Sequence, residues 1–169
     1  MIPLPGDAVY CQELFVIDQQ ACSAMKDFPC PDCGSVLDIA NIPRKLRDGP
    51  EGVTVRFGLC CRKDGCRARF WPPSVRFMGR KIYSALTLVL ALDFHKSLGL
   101  AISPRTLARW RQFWKDRLTE SSPFMRRARS RGLLQIPNVG STPKAILAVF
   151  GFPDPASILP ALKFFTQSS

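Results

Sequence analysis

Two pairs of closely spaced cysteines constrain this chain more than any other feature of its sequence. Cys30 and Cys33 lie in the run CPDCG, and Cys61 and Cys66 lie in the run CRKDGC. Two short cysteine loops on separate strands supply the four thiolates that hold a tetrahedral zinc ion in structural sites. The spacing therefore predicts a structural Zn²⁺ site formed by these four cysteines.

The third ligand of this site has two candidates, because Cys60 and Cys61 are adjacent. Neighbouring side chains of a strand point to opposite faces, so only one of the two can reach the metal. We prefer Cys61, since its spacing to Cys66 closes the tighter loop, and Cys60 is the alternative. Cys11 and Cys22 have no partner at such a spacing, and we expect both to lie in the core.

A disulfide-stabilised secreted protein fits this sequence poorly. The seven cysteines are an odd number, and the N-terminus lacks a basic segment followed by a long apolar run. The most apolar stretch, residues 82–92, contains Ser84 and Thr87 and is shorter than the roughly 20 residues that cross a bilayer. We expect a cytoplasmic protein that has no membrane partner.

Positive charge is concentrated in two blocks of the chain, whose 169 residues carry a formal net charge of +11. Residues 44–81 contain eleven basic and three acidic residues, and residues 105–131 contain nine basic and two acidic residues. Both blocks are rich in arginine, whose planar guanidinium fits phosphate groups and guanine edges. A nucleic acid is a better partner than a membrane, because no basic amphipathic terminal helix is present.

The first part of the chain is predicted to be a three-stranded zinc ribbon at residues 28–73. Three segments alternate apolar and polar residues or are rich in β-branched and aromatic residues, as short strands are. These segments are 35–39, 53–59 and 67–71. Residues 1–27 form an N-terminal extension without a clear period. Its apolar residues, which indicate one short packed element, are Tyr10, Leu14, Phe15 and Ile17.

Residues 74–169 are predicted to form a helical bundle, so the whole chain belongs to the α+β class. A long apolar helix at 80–98, ended by Gly99, is expected at its centre. Serine, threonine or aspartate precedes proline at four places, and each pair predicts a helix N-cap followed by the first helical residue. These pairs are Ser103 with Pro104, Ser122 with Pro123, Thr142 with Pro143, and Asp154 with Pro155. Gly132 and Gly151 lie where C-terminal glycines of helices are expected.

The helix predicted at residues 104–118 is the most informative about function, because its apolar and polar side chains fall on opposite sides. The apolar side is Leu107, Trp110, Trp114 and Leu118, and the polar stripe on the other side is Arg105, Ala108, Arg109, Gln112 and Asp116. Arginine suits guanine edges, glutamine suits adenine, and alanine suits the thymine methyl group. The pattern predicts a DNA-reading helix within a helix-turn-helix at about residues 90–118, although Ala101 stands where the turn glycine is expected.

Further basic residues are expected to contact the phosphates of double-stranded DNA. One lies beside the polar stripe, and the others lie in the loop and the last strand of the ribbon. They are Lys115, Arg44, Lys45, Arg47, Arg67 and Arg69. The sequence thus predicts a sequence-specific DNA-binding protein associated with the nucleoid.

Several runs of the chain together resemble one family of proteins. CPDCG, CCRKDGCRARF, VRFMGRKIY and ISPRTLARWRQFW resemble small bacterial zinc-ribbon and helix-turn-helix proteins, similar to the N-terminal DNA-binding part of insertion-sequence transposases. The resemblance covers about residues 28–118. It implies DNA binding, zinc held by the four cysteines, and a role as an accessory factor or regulator of a mobile element. A transposase catalytic domain is not expected, because Asp154 is the only acidic residue after Gly132.

Catalytic activity and a small-molecule substrate are not expected. His95 is the only histidine, and it has no acidic partner on its own helix face. A zinc ion with four protein ligands has no open coordination position, which is typical of a structural site.

A protein-interaction adaptor that docks on a transposase or another nucleic-acid enzyme is the alternative function. Trp71, Phe77 and Phe124 would then be its exposed anchors. RNA binding through Phe57, Phe70 and Trp71 is a third hypothesis, and it is weaker because the core of a small ribbon requires the same aromatic residues.

Overall fold

The computed structural model of the protein describes residues 7–43, 47–50, 54–78, 83–96, 102–135 and 143–167. Within these ranges the chain forms six α-helices and five short strands, so the predicted α+β class is confirmed. The helices are α1 (Ala8–Lys26), α2 (Ala85–Phe94), α3 (Pro104–Phe113), α4 (Ser122–Ser130), α5 (Pro143–Val149) and α6 (Ile158–Thr166). The strands are β1 (Leu37–Ile39), β2 (Ile42–Pro43), β3 (Val55–Arg56), β4 (Leu59–Cys61) and β5 (Arg69–Phe70).

The N-terminal helix α1 has 19 residues and is much longer than the short element expected there. No glycine or proline interrupts it, so helix propensity is maintained along its length. Its buried face consists of Leu14, Asp18 and Cys22, which follow one another at intervals of four residues. The acidic Asp18 interrupts this apolar stripe, which explains why the sequence shows no clear apolar period.

Strands β1, β4 and β5 form an antiparallel sheet with β4 in the middle. Strands β2 and β3 form a second antiparallel pair whose register continues that of β1 with β4. Ile39 pairs with Leu59, and Ile42 pairs with Arg56 three residues further along both strands. The two pairs are therefore parts of one interrupted hairpin.

The prediction of a single strand at 53–59 is wrong, because β3 ends at Arg56 and β4 begins at Leu59, with Phe57 and Gly58 between them. A Cβ atom on Gly58 would lie 2.7 Å from Cζ3 of the Trp71 ring and 3.0 Å from the Ala40 carbonyl oxygen. The tryptophan ring thus comes too close to the backbone for any side chain at this position. The Gly58 amide donates instead to Oδ1 of Asn41 at 3.4 Å.

Helix α2 is the central helix that was expected, and its residues 85–92 are all buried. It contacts α3, α5 and α6. It ends at Phe94, whereas Gly99, the predicted end, lies outside the described residues. Neither α2 nor any other helix in the described ranges is both long enough and apolar enough to span a bilayer.

The predicted start of α2 at residue 80 is wrong, because Ser84 caps the helix. The Ser84 hydroxyl accepts a hydrogen bond from the Thr87 amide at 3.2 Å. The Asp48 carboxylate accepts hydrogen bonds from the Ser84 amide at 2.9 Å and from the Ser84 hydroxyl at 2.6 Å. A cap with this many partners determines where the helix begins more strongly than the apolar pattern does.

Two of the helix starts predicted from proline are confirmed. Ser103 caps α3 and is followed by Pro104 at the first helical position. Asp154 caps the 3₁₀ turn Pro155–Ser157, which leads directly into α6. Proline lacks the N–H that would have no intrahelical partner at the first helical position, which is why this signal indicates helix starts.

The start of α4 lies one residue before the predicted one. Ser121 is the cap, and its hydroxyl accepts a hydrogen bond from the Phe124 amide at 3.3 Å. Ser122, the predicted cap, is therefore the first helical residue. Thr142, the cap predicted for α5, lies outside the described residues.

The two glycines predicted to end helices have the left-handed backbone that such ends require. Gly132, after α4, has a φ of 67°, and Gly151, after α5, has a φ of 96°. Glycine adopts this conformation without the steric cost of a Cβ atom.

Buried side chains in the described ranges form two clusters. The smaller cluster surrounds the sheet and consists of Cys22, Cys30, Leu37, Phe57, Leu59 and Cys61. The larger cluster surrounds α2 and includes Leu14 of α1. Helix α1 therefore packs on both parts of the protein, and the segment predicted to be an extension contributes to both cores.

Candidate metal centre and basic surface

The four predicted cysteines meet in one cluster. The Sγ atoms of Cys30, Cys33, Cys61 and Cys66 all lie within 4.8 Å of one another. The Sγ atoms of Cys30 and Cys66 are 3.9 Å apart, and those of Cys33 and Cys61 are 3.4 Å apart. A tetrahedral ion with metal–sulfur bonds of about 2.3 Å places its sulfurs roughly 3.8 Å apart. The four sulfurs therefore fit a single metal ion.

A tight turn before β1 brings the first cysteine pair together. The Cys30 amide donates to the Ser35 carbonyl at 2.7 Å, and the Gly34 amide donates to the Cys30 carbonyl at 2.7 Å. Gly34 has a φ of 72°, a backbone conformation that glycine adopts readily. These bonds fold the backbone so that Cys33 lies next to Cys30.

The second cysteine pair is held by the connection between β4 and β5. The Cys61 amide donates to the Ala68 carbonyl at 2.8 Å, and the Cys66 amide donates to the Lys63 carbonyl at 3.2 Å. Gly65 has a φ of 85° and allows the chain to reverse within a few residues. Sheet pairing of β1 with β4 then brings the two cysteine pairs to one site.

The structure places Cys61, and not Cys60, in the cluster. Cys61 is buried, whereas Cys60 is half-buried on the opposite face of β4, as the alternation of a strand requires. The Cys60 thiol donates to the carbonyls of Cys61 at 3.6 Å and Arg67 at 3.7 Å. Cys22 is buried beside the cluster, and Cys11 is half-buried on α1.

The thiols of the cluster differ in how readily they lose a proton. Burial raises the pKa of Cys61 to about 12. A hydrogen bond with the backbone of Ser35, followed by one with Cys61, lowers the pKa of Cys33 to about 7. A metal ion binds thiolates, so it must displace the protons that the cluster holds. Affinity of the cluster for a metal should therefore increase with pH.

Helix α3 and the π-helical turn after it, Trp114–Leu118, present the predicted DNA-reading side chains to solvent. Leu107, Trp110 and Trp114 are buried on the opposite side. The five predicted contact residues of this region are all exposed; they are Arg105, Ala108, Arg109, Gln112 and Lys115. The Gln112 side-chain amide donates to Asp116, so contact with an adenine requires that this bond be exchanged.

The helix that precedes α3, the predicted DNA-reading helix, is α2, and the two helices pack against each other. The rings of Tyr83 and Trp110 meet edge to face at 5.0 Å between centroids. The turn of the predicted helix-turn-helix, residues 97–101, lies outside the described residues, as does the side chain of Leu118.

The basic residues predicted in the ribbon are exposed where the structure describes them; these are Arg47, Arg67 and Arg69. Arg67 forms a salt bridge of 2.7 Å with Asp64, and both side chains are well exposed, so water and salt weaken the pair. Arg44 and Lys45 lie outside the described residues.

Two of the three anchors expected for an adaptor are in fact buried. Phe124 packs against Trp114 with ring centroids 6.2 Å apart. Phe77 is buried beside the Arg76 guanidinium, 4.9 Å from its ring centroid. Trp71 alone of the three is exposed, at 43% of its surface. Phenylalanine is a strong core residue, and the sequence offered no sign that these two would face outward.

The aromatic surface considered for RNA binding is incomplete. Phe57 is buried, and its ring meets that of Phe15 edge to face at 5.0 Å. Phe70 is half-buried in β5. Base stacking requires an open ring face, and in this group only Trp71 is well exposed.

Sequence reasoning missed a buried ion pair that joins α1 to the segment after the cysteine cluster. Nε of Arg76 donates to Oδ2 of Asp18 at 2.8 Å. The same carboxylate accepts from the Val75 amide at 2.7 Å and from the Ser74 hydroxyl at 2.6 Å. Nη2 of Arg76 donates to the Val55 carbonyl at 2.7 Å. The available signal was an acidic residue on an otherwise apolar face of a helix.

Comparison with protein families, with curated proteins and with solved structures finds no match for this chain.

Proposed function

We propose that this protein binds double-stranded DNA in a sequence-specific manner and has no catalytic activity. The observation that carries the proposal is the division of α3, whose buried side holds Trp110 and whose exposed stripe holds Arg105, Arg109 and Gln112. These exposed side chains have the hydrogen-bonding groups that read guanine and adenine in the major groove. The helix is anchored by its apolar side, so it can present the stripe without losing its own packing.

The metal in this proposal is zinc, and its role is structural. Four thiolates favour zinc or iron in a tetrahedral site, and four protein ligands leave no position for a substrate. Zinc bound by the four cysteines would hold the short strands in place and thereby fix the exposed Arg67 and Arg69. Metal analysis of the purified protein distinguishes zinc from iron.

The charge of the surface supports a polyanionic partner. Lys115 lies beside the base-reading stripe, and the exposed Arg67 and Arg69 lie in the segment of the cysteine cluster. These side chains suit phosphate contacts, which position a protein on DNA. An accessory factor or regulator of a mobile element is the cellular role that agrees with the resemblance of residues 28–118 to transposase DNA-binding regions. The partner would then be a DNA site, with or without a transposase bound to it.

The proposal is tested by selection of bound duplexes from a random pool with the metal-loaded protein. Enrichment of a common motif is the expected result, and its affinity should fall steeply with salt, at about 0.9 logarithmic units per neutralised phosphate. Recovery of a pool as random as the starting one would contradict sequence-specific binding.

We expect Arg109→Ala to relax the sequence preference at one position of the selected site. Loss of a bidentate contact with a guanine should cost about 1–3 kcal/mol of discrimination against the other bases. Fluorescence anisotropy with the selected duplex and its single-base variants measures this loss. Lys163→Ala is the control, because Lys163 is exposed on α6 and its loss removes one charge far from the stripe in sequence. A uniform loss over all duplexes would mean that Arg109 contacts only phosphate.

A protein-interaction adaptor remains a second candidate, and one observation favours it. Phe28, Ile39 and Trp71 all belong to the ribbon part of the chain and are exposed at 66%, 52% and 43%. Exposed aromatic and branched side chains are typical anchors of a protein interface. Filter binding with random duplex DNA at moderate salt separates the two candidates, since an adaptor would retain no DNA.

A further inference from the structure

Helix α4 carries a basic groove that the DNA-reading helix does not account for. One side of α4 is anchored in the core by Phe124 and Ala128, which are both fully buried. The other side borders an open groove of about 520 Å³, whose described lining residues all belong to α4 and are Met125, Arg126, Arg129 and Ser130. Arg126 and Arg129 are exposed and, being three residues apart on a helix, lie next to each other on its surface.

The positive charge of this groove is not neutralised within the described residues. The salt bridges there join other residues, namely Arg62 with Asp38, Arg67 with Asp64 and Arg76 with Asp18. Glu120 is the only acidic residue in the sequence between residues 117 and 153. Two adjacent guanidinium groups repel each other unless an anion lies between them, so the groove favours a negatively charged ligand.

The neighbouring Arg131 has an aromatic contact of its own, and the neighbouring Arg127 differs from Arg126 and Arg129 in its burial. The Arg131 guanidinium lies 5.3 Å from the centroid of the Phe150 ring, and Arg127 is half-buried. A cation in the last turn of a helix is stabilised by the helix dipole. This stabilisation explains in part why an arginine occupies position 129, in the last turn of α4. Arg126 lies in the middle of α4, where the dipole gives no such benefit.

We propose that the groove of α4 binds phosphate groups of the DNA backbone. Its charged groups are the guanidinium groups of Arg126 and Arg129, which bind phosphate oxygens. The Ser130 hydroxyl already donates to the Arg127 carbonyl at 3.0 Å, so the proposal rests on the two arginines. The lining residues that the structure describes include no glutamine or asparagine, the side chains that read adenine. This inference rests on the proposed DNA-binding function and assigns to α4 the contact that is independent of sequence, whereas α3 reads the bases.

The test compares Arg126→Ala/Arg129→Ala with the parent protein by fluorescence anisotropy. Binding of the duplex selected above, and of a random duplex of equal length, is measured over a series of KCl concentrations. The double variant should bind both duplexes more weakly by the same factor. Its slope of log affinity against log salt should be smaller by about 2, which corresponds to two lost phosphate contacts.

Two matched variants make the result specific. Lys144→Ala/Lys163→Ala removes two exposed charges from α5 and α6 and should leave the slope almost unchanged. Arg126→Lys/Arg129→Lys keeps both charges and should keep most of the slope. Circular dichroism of each variant establishes that the exposed substitutions leave the fold intact.

The outcomes separate this inference from the function on which it rests. If the double alanine variant keeps the slope of the parent protein, the α4 groove does not bind DNA, although sequence-specific binding by α3 stands. A changed base preference in that variant would also overturn the inference, because it would make α4 a base-reading element. If the parent protein itself binds no duplex, the proposed function fails. Binding of an acidic polypeptide such as polyglutamate at the groove would then assign α4 to a protein partner.

Discussion

Cys61→Ser is expected to abolish stoichiometric metal binding and to unfold the sheet around the four cysteines, whereas Cys60→Ser should change neither property. Cys61 is buried within the sulfur cluster, while Cys60 lies on the opposite face of the same strand. A serine hydroxyl is a much weaker zinc ligand than a thiolate at neutral pH. Zinc sites of this type contribute about 10–16 kcal/mol of apparent binding energy to folding, and a damaged site loses much of it.

The small size of the sheet is the reason why this effect should be large. Its strands have two or three residues each, and a hydrophobic core of this extent contributes little stability by itself. The cluster ties the turn before β1 to the connection between β4 and β5. Without the metal, four thiols would face one another at short distances, and at least Cys61 would hold its proton until high pH.

The measurements are metal content per chain and thermal unfolding, each with and without a chelator. The parent protein and Cys60→Ser should contain one zinc ion per chain, and chelation should lower the unfolding temperature of both. Cys61→Ser should contain almost none, and a chelator should have no further effect on it. Full metal content in Cys61→Ser together with its loss in Cys60→Ser would show that Cys60 is the ligand.

The parts of the fold that could be predicted are those with short-range chemical signals. The four cysteines are identified by their spacing, and Ser103 and Asp154 by the proline that follows each of them. Gly132 and Gly151 are recognised because a helix end commonly requires a left-handed residue. Each of these signals depends on residues that are close in sequence, so no knowledge of the tertiary structure is needed.

The features that sequence reasoning missed depend on contacts between distant residues. The interruption of the second strand results from the approach of Trp71 to Gly58, and neither residue alone predicts it. The start of α2 is set by Asp48, which lies 36 residues before Ser84. The length of α1 was missed because Asp18 disturbs its apolar pattern, and the partner that explains this residue is Arg76.

The ion pair of Asp18 with Arg76 holds three parts of the protein together. Asp18 belongs to α1, Arg76 follows the cysteine cluster, and the Val55 carbonyl that accepts from Arg76 belongs to β3. The guanidinium also lies 4.8 Å and 5.4 Å from the ring centroids of Phe15 and Phe57. This arrangement fixes the cysteine cluster relative to α1, and through α1 to the helices.

We expect Asp18→Asn to destabilise the protein by about 3–5 kcal/mol, because it leaves the Arg76 charge buried without its counterion. Asp18 and Arg76 are only 3% and 4% exposed. Asp38→Asn is the matched control, since it breaks the salt bridge between Asp38 and Arg62. The side chain of Asp38 is 43% exposed and that of Arg62 is 65% exposed. An exposed pair contributes about 0–1 kcal/mol. Urea unfolding of the metal-loaded variants measures both changes in the free energy of unfolding.

A second substitution tests whether the uncompensated charge is the cause of this loss. Arg76→Met in the Asp18→Asn background removes the charge and keeps apolar contact with Phe15 and Phe57, so part of the stability should return. A double variant that is less stable than Asp18→Asn would show that Arg76 acts mainly through its hydrogen bond to Val55. Equal, small effects of Asp18→Asn and Asp38→Asn would mean that water reaches the buried pair and that α1 is held by apolar packing alone.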